Sequence, residues 1–157
     1  MPIIDPLGEN PTVDGRQSEA AMRVRSGVIR GLSESNLAFL PELTLKNGRR
    51  CDLAALDRKG KILIFEIKSS VEDYRVDTKW HEYKDFCDQF YFATHPDVPM
   101  EIFPEEEGLV IADQYACEII RPAEEHKLPP ATRKALTLQF ARAAASRLHR
   151  FNLHEAT

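Results

Sequence analysis

No apolar run in this chain approaches the roughly 18 residues of a membrane span, so no membrane partner is expected. The opening residues, MPIIDPLGENPTVDG, have neither a basic segment nor a long apolar one; they do not read as a secretory signal, and a cytoplasmic location is expected. Cysteine is scarce. Cys51, Cys87 and Cys117 are an odd set without a CxxC pair, which argues against a disulfide framework and against a zinc ribbon. Each sits among apolar residues and reads as a buried, reduced thiol. The five histidines lack ligand spacing, since His149 and His154, five apart, do not share one helical face. Walker A, GxGxxG and GxSxG sequences are absent, as is any repeat at a fixed period. A basic excess is missing too: 21 Lys and Arg against 25 Asp and Glu leave a formal net charge of −4. A protein that holds nucleic acid mainly by neutralising phosphates is usually basic, so any such binding must come from local patches.

What is present is enough for one domain. At 157 residues and 43% hydrophobic content, the chain can bury a core but not two of ordinary size. Its most informative stretch is Arg50 to Ser70. Two apolar runs of strand length flank Arg58-Lys59-Gly60, a polar break with glycine where positive φ is cheapest. A three-residue hairpin loop sets Asp57 opposite Lys61, Leu56 opposite Ile62, Ala54 opposite Ile64 and Asp52 opposite Glu66. Lys68 follows Glu66 by two, so the pleat puts its ammonium on the face of both carboxylates. The other face carries Cys51, Leu53, Leu63, Phe65 and Ile67.

Charges in an otherwise apolar strand cost several kcal/mol on rough scales when unpaired. Two readings account for them. Glu66 and Lys68 can be the solvent-facing residues of an edge strand, neutralising each other and discouraging aggregation. Alternatively, two carboxylates and a strand carbonyl can bind a hard Mg²⁺ or Mn²⁺ ion through oxygen, leaving positions for water and a substrate phosphate, with Lys68 polarising the attacking water and offsetting charge in the transition state.

This D…ExK constellation resembles the PD-(D/E)xK nuclease superfamily, with Asp52 and Glu66 as the acids, Lys68 as the lysine and Cys51 where the superfamily's name has proline. Over nearly the whole chain the sequence also resembles the MmcB-type family of DNA-repair nucleases, through Leu40-Pro41-Glu42, Gly48-Arg49-Arg50, Glu66-Ile67-Lys68-Ser69-Ser70, Lys79-Trp80 with Tyr83, Cys87-Asp88 and the segment from Arg133 to Leu148. The resemblance implies a restriction-endonuclease-like αβββαβ core with a mixed central sheet. It implies DNA as partner, Mg²⁺ as cofactor with Mn²⁺ able to substitute, and Asp52, Glu66 and Lys68 as catalytic residues. Some relatives in the superfamily carry a further metal-ligating glutamate on the first helix, for which Glu19 is the candidate; first-turn dipole support and a pair with Arg23 are the simpler explanation of it. The superfamily also includes inactive members, which leaves a binding module as the alternative. Many small nucleases of this fold work as dimers, so a homodimer is the fold-level expectation.

The rest of the chain fills in around this hairpin. Residues 1–13, with Pro2, Pro6 and Pro11, read as an irregular arm, and 14–157 as a single domain. Ala21, Val24, Val28, Ile29 and Leu32 make one apolar arc of a helix capped at Asp14 or Ser18 and ending near Gly31 or Ser33. Leu37, Phe39, Leu43 and Leu45 mark a strand bent at Pro41. Setting Leu45 opposite Cys51 and Leu43 opposite Leu53 places Glu42 on the face of Asp52 as a third candidate ligand. Trp80, Tyr83, Phe86 and Cys87 recur at helical spacing, followed by strands at 90–94, 108–113 and 115–121 and a proline-rich loop in which Glu105, Glu106 and Glu107 are solvated. A last helix from Pro129-Pro130 carries a stripe of Leu136, Phe140, Ala144, Leu148 and Phe151. Candidate DNA-contacting cations are Arg50, Lys79, Lys84, Arg142 and Arg150, set against the simpler reading of solvated faces.

Overall fold

The structure is a computed structural model that describes residues 15–155; the N-terminal arm expected at 1–13 and the cap at Asp14 lie outside the described residues. Helix α1 (Gly15–Gly31) leads through a 3-10 turn into β1 (Ala38–Thr44), β2 (Arg50–Leu56) and β3 (Ile62–Ile67). A short helix α2 (Val71–Val76) and a 3-10 helix over Trp80–Phe86 cross to β4 (Gln89–Thr94), and β5 (Gly108–Ala112), β6 (Cys117–Arg121) and the long α3 (Pro130–Glu155) complete the chain. The six strands form one mixed sheet in sequence order, antiparallel except for the β3–β4 and β4–β5 pairs. The αβββαβ order and the additional strands and helix agree with expectation.

The sheet has a core on each face. On one, Val24 and Val28 of α1 meet Leu53, Phe65, Tyr91 and Val110, with Ala21, Ile29 and Leu32 at the margin. The apolar arc read from the sequence is therefore the buried face of α1. On the other face, Trp80, Tyr83, Leu136 and Phe140 cover Ile62, Ile64, Phe90 and Phe92. The β2–β3 hairpin has the expected register, with Leu56 opposite Ile62, Ala54 opposite Ile64, and the Asp57 amide donating to the Lys61 carbonyl at 3.0 Å.

Several expectations need correction. The β1–β2 register is displaced by two residues: Leu43 faces Cys51 and Pro41 faces Leu53, because the turn closes early, with Leu45 donating to Arg49 at 2.7 Å. Glu42 thereby comes directly opposite Asp52 and not diagonal to it. Cys51 belongs to the α3-side core although Leu53 belongs to the α1-side core, and Leu40 and Leu43, three apart, share the α3 side. Both strands thus change face at Glu42 and Asp52. The cause is visible at Glu42, whose φ of 54° is left-handed and breaks the period-2 pleat.

The crossover read as a helix through Trp80 and Cys87 is a 3-10 helix ending at Phe86. Strand β6 starts at Cys117 because Asp113 caps a turn, accepting from Tyr115 and Ala116 at 2.8 and 2.9 Å. Glu107 is buried and bonded to Lys84 at 2.6 Å, so it is not part of a solvated run. On α3 the apolar stripe is covered only as far as Ala144; Leu148 and Phe151 are 61% and 60% exposed. Asp88, read only as part of a motif, anchors α3 to the sheet: its buried carboxylate accepts from Ile62 and Leu128 and takes both arms of Arg133.

Candidate active site

The site begins where the β2–β3 ladder opens. Backbone pairing runs as far as Leu53 opposite Phe65. At the next step each strand's amide is met by the other's side chain: the Asp52 amide donates to Glu66 Oε1 at 3.2 Å, and the Ile67 amide donates to Asp52 Oδ2 at 2.8 Å. Two amides that lost their ladder partners are satisfied by carboxylates, and the same bonds fix how both carboxylates point. Glu66 is 4% exposed and Lys68 5%. These residues line one open cleft of about 450 Å³, together with Glu42, Arg50, Ile67, Ser69, Asp73 and Tyr83, and with Ala21, Met22 and Arg25 of α1. The edge-strand reading of Glu66 and Lys68 therefore fails, since β3 is an inner strand and both side chains are buried.

Burial pushes Asp52 above the usual carboxylate range, against the hydrogen bonds from Glu66 and Ile67 and the charge of Lys68. Glu66 is pushed well above it, by burial first and then by the charge of Asp52. A half-buried Asp52 and a buried Glu66 facing each other call for a proton or a cation to relieve them. Lys68 does not fill that place. Its Nζ sits 2.7 Å from Asp77 Oδ2, and although burial works to lower its pKa, the bond to Asp77 and the charge of Glu66 outweigh burial and raise it. Lys68 is thus a held cation, suited to donating a hydrogen bond and opposing negative charge, not to accepting a proton. Asp77 is correspondingly lowered: burial acts upward, and the bonds from Lys68 and the Lys79 amide overcome it.

A second layer holds the rim. Ser70 caps α2 by accepting from the Asp73 amide at 3.0 Å, while Asp73 accepts from Ser69 at 3.0 Å. Thr94 and His95 bind the carbonyls of Lys68 and Ser69, at 2.7 and 2.8 Å, so β4 fixes the strand end that carries the lysine. Tyr83 donates to the Arg50 carbonyl at 3.0 Å, and the Arg49 guanidinium lies 5.0 Å over its ring. Trp80 packs in the core, stacked at 5.8 Å on Phe90 and edge-on to Phe92 at 4.9 Å, whereas Tyr83 both packs there and lines the cleft.

The other candidates are placed unequally. Glu42 is in the cleft, with its carboxylate 4.0 Å from Arg50 and its carbonyl held by Arg147 at 2.7 Å. Glu19 is exposed on α1 and does not line the cleft. Among the described residues, no three His, Cys, Asp or Glu side chains come together as a cage for a metal ion. The donor set is therefore the two carboxylates, with Ile67 lining the same cleft. That fits a hard divalent cation of the Mg²⁺ type, which is commonly held by one or two carboxylates and completes its shell with water and phosphate oxygens.

Of the candidate DNA-contacting cations, Arg50 lines the cleft, whereas Lys84 is paired with Glu107 beside a separate hollow. Lys79 and Arg142 are exposed outside the cleft. Arg150 acts electrostatically on Arg147, whose pKa is lowered by burial and by the charges of Arg150 and Arg25. Arg25 and Arg147 have no role in the sequence reading. Arg147 stands 105 residues from the Glu42 carbonyl it binds, and no local pattern announces such a contact.

A family model described as "DNA repair protein MmcB-like" matches residues 8–155. A solved structure of a protein of unknown function from Silicibacter pomeroyi shares the fold, with a TM-score of 0.83 and 39% sequence identity over 88% of this chain and 94% of that one. The search of curated proteins found no match. No helix among the described residues is long and apolar enough to cross a membrane.

Proposed function

From the premise that this chain belongs to the family of MmcB-like DNA repair proteins, we propose that it is a divalent-metal-dependent nuclease of the PD-(D/E)xK type, hydrolysing phosphodiester bonds in DNA. The observation that carries this reading is the pair of the half-buried Asp52 and the buried Glu66, set at an opening in the sheet with a held lysine two residues beyond Glu66. Asp52 and Glu66, with the Ile67 carbonyl, would hold the cation, which when bound supplies Lewis acidity toward a phosphate oxygen and acidifies water. Lys68, a permanent cation in this arrangement, donates a hydrogen bond toward the attacking water and opposes the charge that builds on the phosphate. Arg50 and Arg25 line the same cleft and hold the flanking backbone by charge.

The test is cleavage of linear, nicked, flapped and four-way DNA in Mg²⁺ or Mn²⁺ by the wild type, Asp52→Asn and Lys68→Ala from identical preparations. Asparagine is chosen because its side-chain oxygen can still accept from the Ile67 amide. Loss of cleavage in both variants, with the fold unchanged by circular dichroism, supports the reading. A second reading, a non-catalytic DNA-binding module, is favoured by the lack of a third side-chain ligand among the described residues. It predicts binding without divalent metal, no cleavage, and indifference to Lys68→Ala.

A further inference from the structure

Beyond the cleft, the exposed side of α1 forms a second concavity, of about 280 Å³, with the turn between β5 and β6. Its lining is Met22, Arg23, Ser26, Arg30, Gln114 and Tyr115, without a carboxylate. Met22 lines both this concavity and the carboxylate cleft, so the two are neighbours along α1. Tyr115 is 66% exposed, and the Arg30 guanidinium lies 5.9 Å from its ring centroid. Arg30 also donates to the Gln114 carbonyl at 3.4 Å, tying helix to turn.

The platform is seated by design of the sequence. A Cβ on Gly27 would lie 1.7 Å from the Asp113 carbonyl oxygen, and one on Gly31 would lie 2.4 Å from Cys117 Sγ. Only glycine at both positions lets the turn rest on the helix. Within the turn, Asp113 accepts from the amides of Tyr115 and Ala116, which fixes the loop that presents the ring.

From these features we infer that α1 and the β5–β6 turn form a docking groove for a single strand of DNA leading away from the carboxylate cleft, with one base stacked on Tyr115 and its phosphates against Arg23 and Arg30. The inference rests on the proposed nuclease reading for the direction of the strand. An exposed ring can stack only on a base that is not already stacked in a duplex, and guanidinium groups beside an aromatic platform are the chemistry of single-strand grooves. The charge favours this occupant, because the groove lining is basic in a chain of net charge −4.

The test is fluorescence anisotropy of labelled oligothymidylate with the full chain in EDTA, where cleavage cannot interfere. Tyr115→Ala is expected to weaken binding roughly 5- to 100-fold, while Tyr115→Phe stays within about twofold of the wild type. Arg30→Ala is expected to flatten the dependence of log affinity on log salt by about 0.7. Arg58→Ala, in the β2–β3 turn, leaves binding unchanged. The inference is overturned if Tyr115→Ala binds like the wild type, if Tyr115→Phe loses as much as alanine, or if the wild type binds no oligothymidylate. Tighter binding of duplex, or of oligouridylate, also overturns it. Cleavage on the same preparations separates the two proposals. Binding through Tyr115 without any hydrolysis retains the groove and removes the nuclease, whereas hydrolysis abolished by Asp52→Asn with Tyr115→Ala binding unchanged does the reverse.

Discussion

Replacing Glu66 by glutamine should stabilise the metal-free protein while destroying its function. Glu66 is 4% exposed, faces Asp52 across an open ladder, and has its carboxyl pushed upward by burial and by that neighbour's charge. Two ionised carboxylates one strand spacing apart, about 4.8 Å, repel by about 3 kcal/mol at an effective dielectric of 20. An upward-shifted carboxyl relieves part of that cost wherever it binds a proton, so the gain from removing one charge is taken as about 1–3 kcal/mol. Glutamine keeps the oxygen that accepts from the Asp52 amide and can donate to the Asp52 carboxylate. Near 60 °C, for a domain of this size, the gain corresponds to a rise in Tm of about 3–9 °C. Urea unfolding in EDTA reports it, with the single tryptophan, the buried Trp80, as fluorescent probe. Adding millimolar Mg²⁺ should stabilise the wild type and shift the variant less, since ligand binding to the native state adds RT ln(1 + [L]/Kd). A Glu66→Gln protein less stable than the wild type in EDTA would refute the reasoning, as would equal Mg²⁺ shifts.

Other predictions concern the frame that holds the site. Asp88 is 2% exposed, and its pKa is lowered from 3.8 to about 2: burial acts upward, and the bonds from Arg133, Ile62 and Leu128 overcome it. A carboxylate depressed in the folded state contributes stability above its unfolded pKa and loses it as pH falls through the folded value. About 2 kcal/mol should therefore disappear between about pH 4 and pH 2, trimmed by solvent at the quarter-exposed Arg133, and a wild-type stability profile measured against Asp88→Asn should show that difference. Asp88→Ala, which strands Arg133 and two amides, should cost about 3–5 kcal/mol in urea unfolding; a loss under 1 kcal/mol would contradict the anchoring role. Gly27→Ala must displace the β5–β6 turn, because its Cβ would meet backbone at 1.7 Å, and should cost about 1–3 kcal/mol. An unchanged Tm in that variant would show that the turn is not fixed on α1.

How much of this was legible in the sequence depended on distance along the chain. The β2–β3 register followed from Gly60 and two apolar runs, and with it the meeting of Asp52, Glu66 and Lys68. The apolar arc of α1 followed from its 3.6-residue period. Glu42 was placed on the correct face by an incorrect register, an error of two residues that preserves parity. What defeated the pleat rule was the left-handed φ at Glu42, which no side-chain pattern encodes. Asp77, nine residues from Lys68, and Arg147, at the far end of α3, reach the site only through the tertiary fold. On α3 the periodic stripe predicted burial for Leu148 and Phe151, but periodicity says which side of a helix is apolar and not how far its neighbours extend.

The most direct measurement of the central claim is single-turnover hydrolysis of DNA in Mg²⁺ by the wild type and by Asp52→Asn, purified side by side. The account predicts cleavage by the wild type that EDTA stops, and a loss of about 100- to 1,000-fold in the variant, the scale on which losing electrostatic support of the transition state, here supplied through the cation Asp52 would hold, is felt. Hydrolysis at equal rates in the two proteins, or a wild type that binds DNA and cuts none of it, would contradict the account.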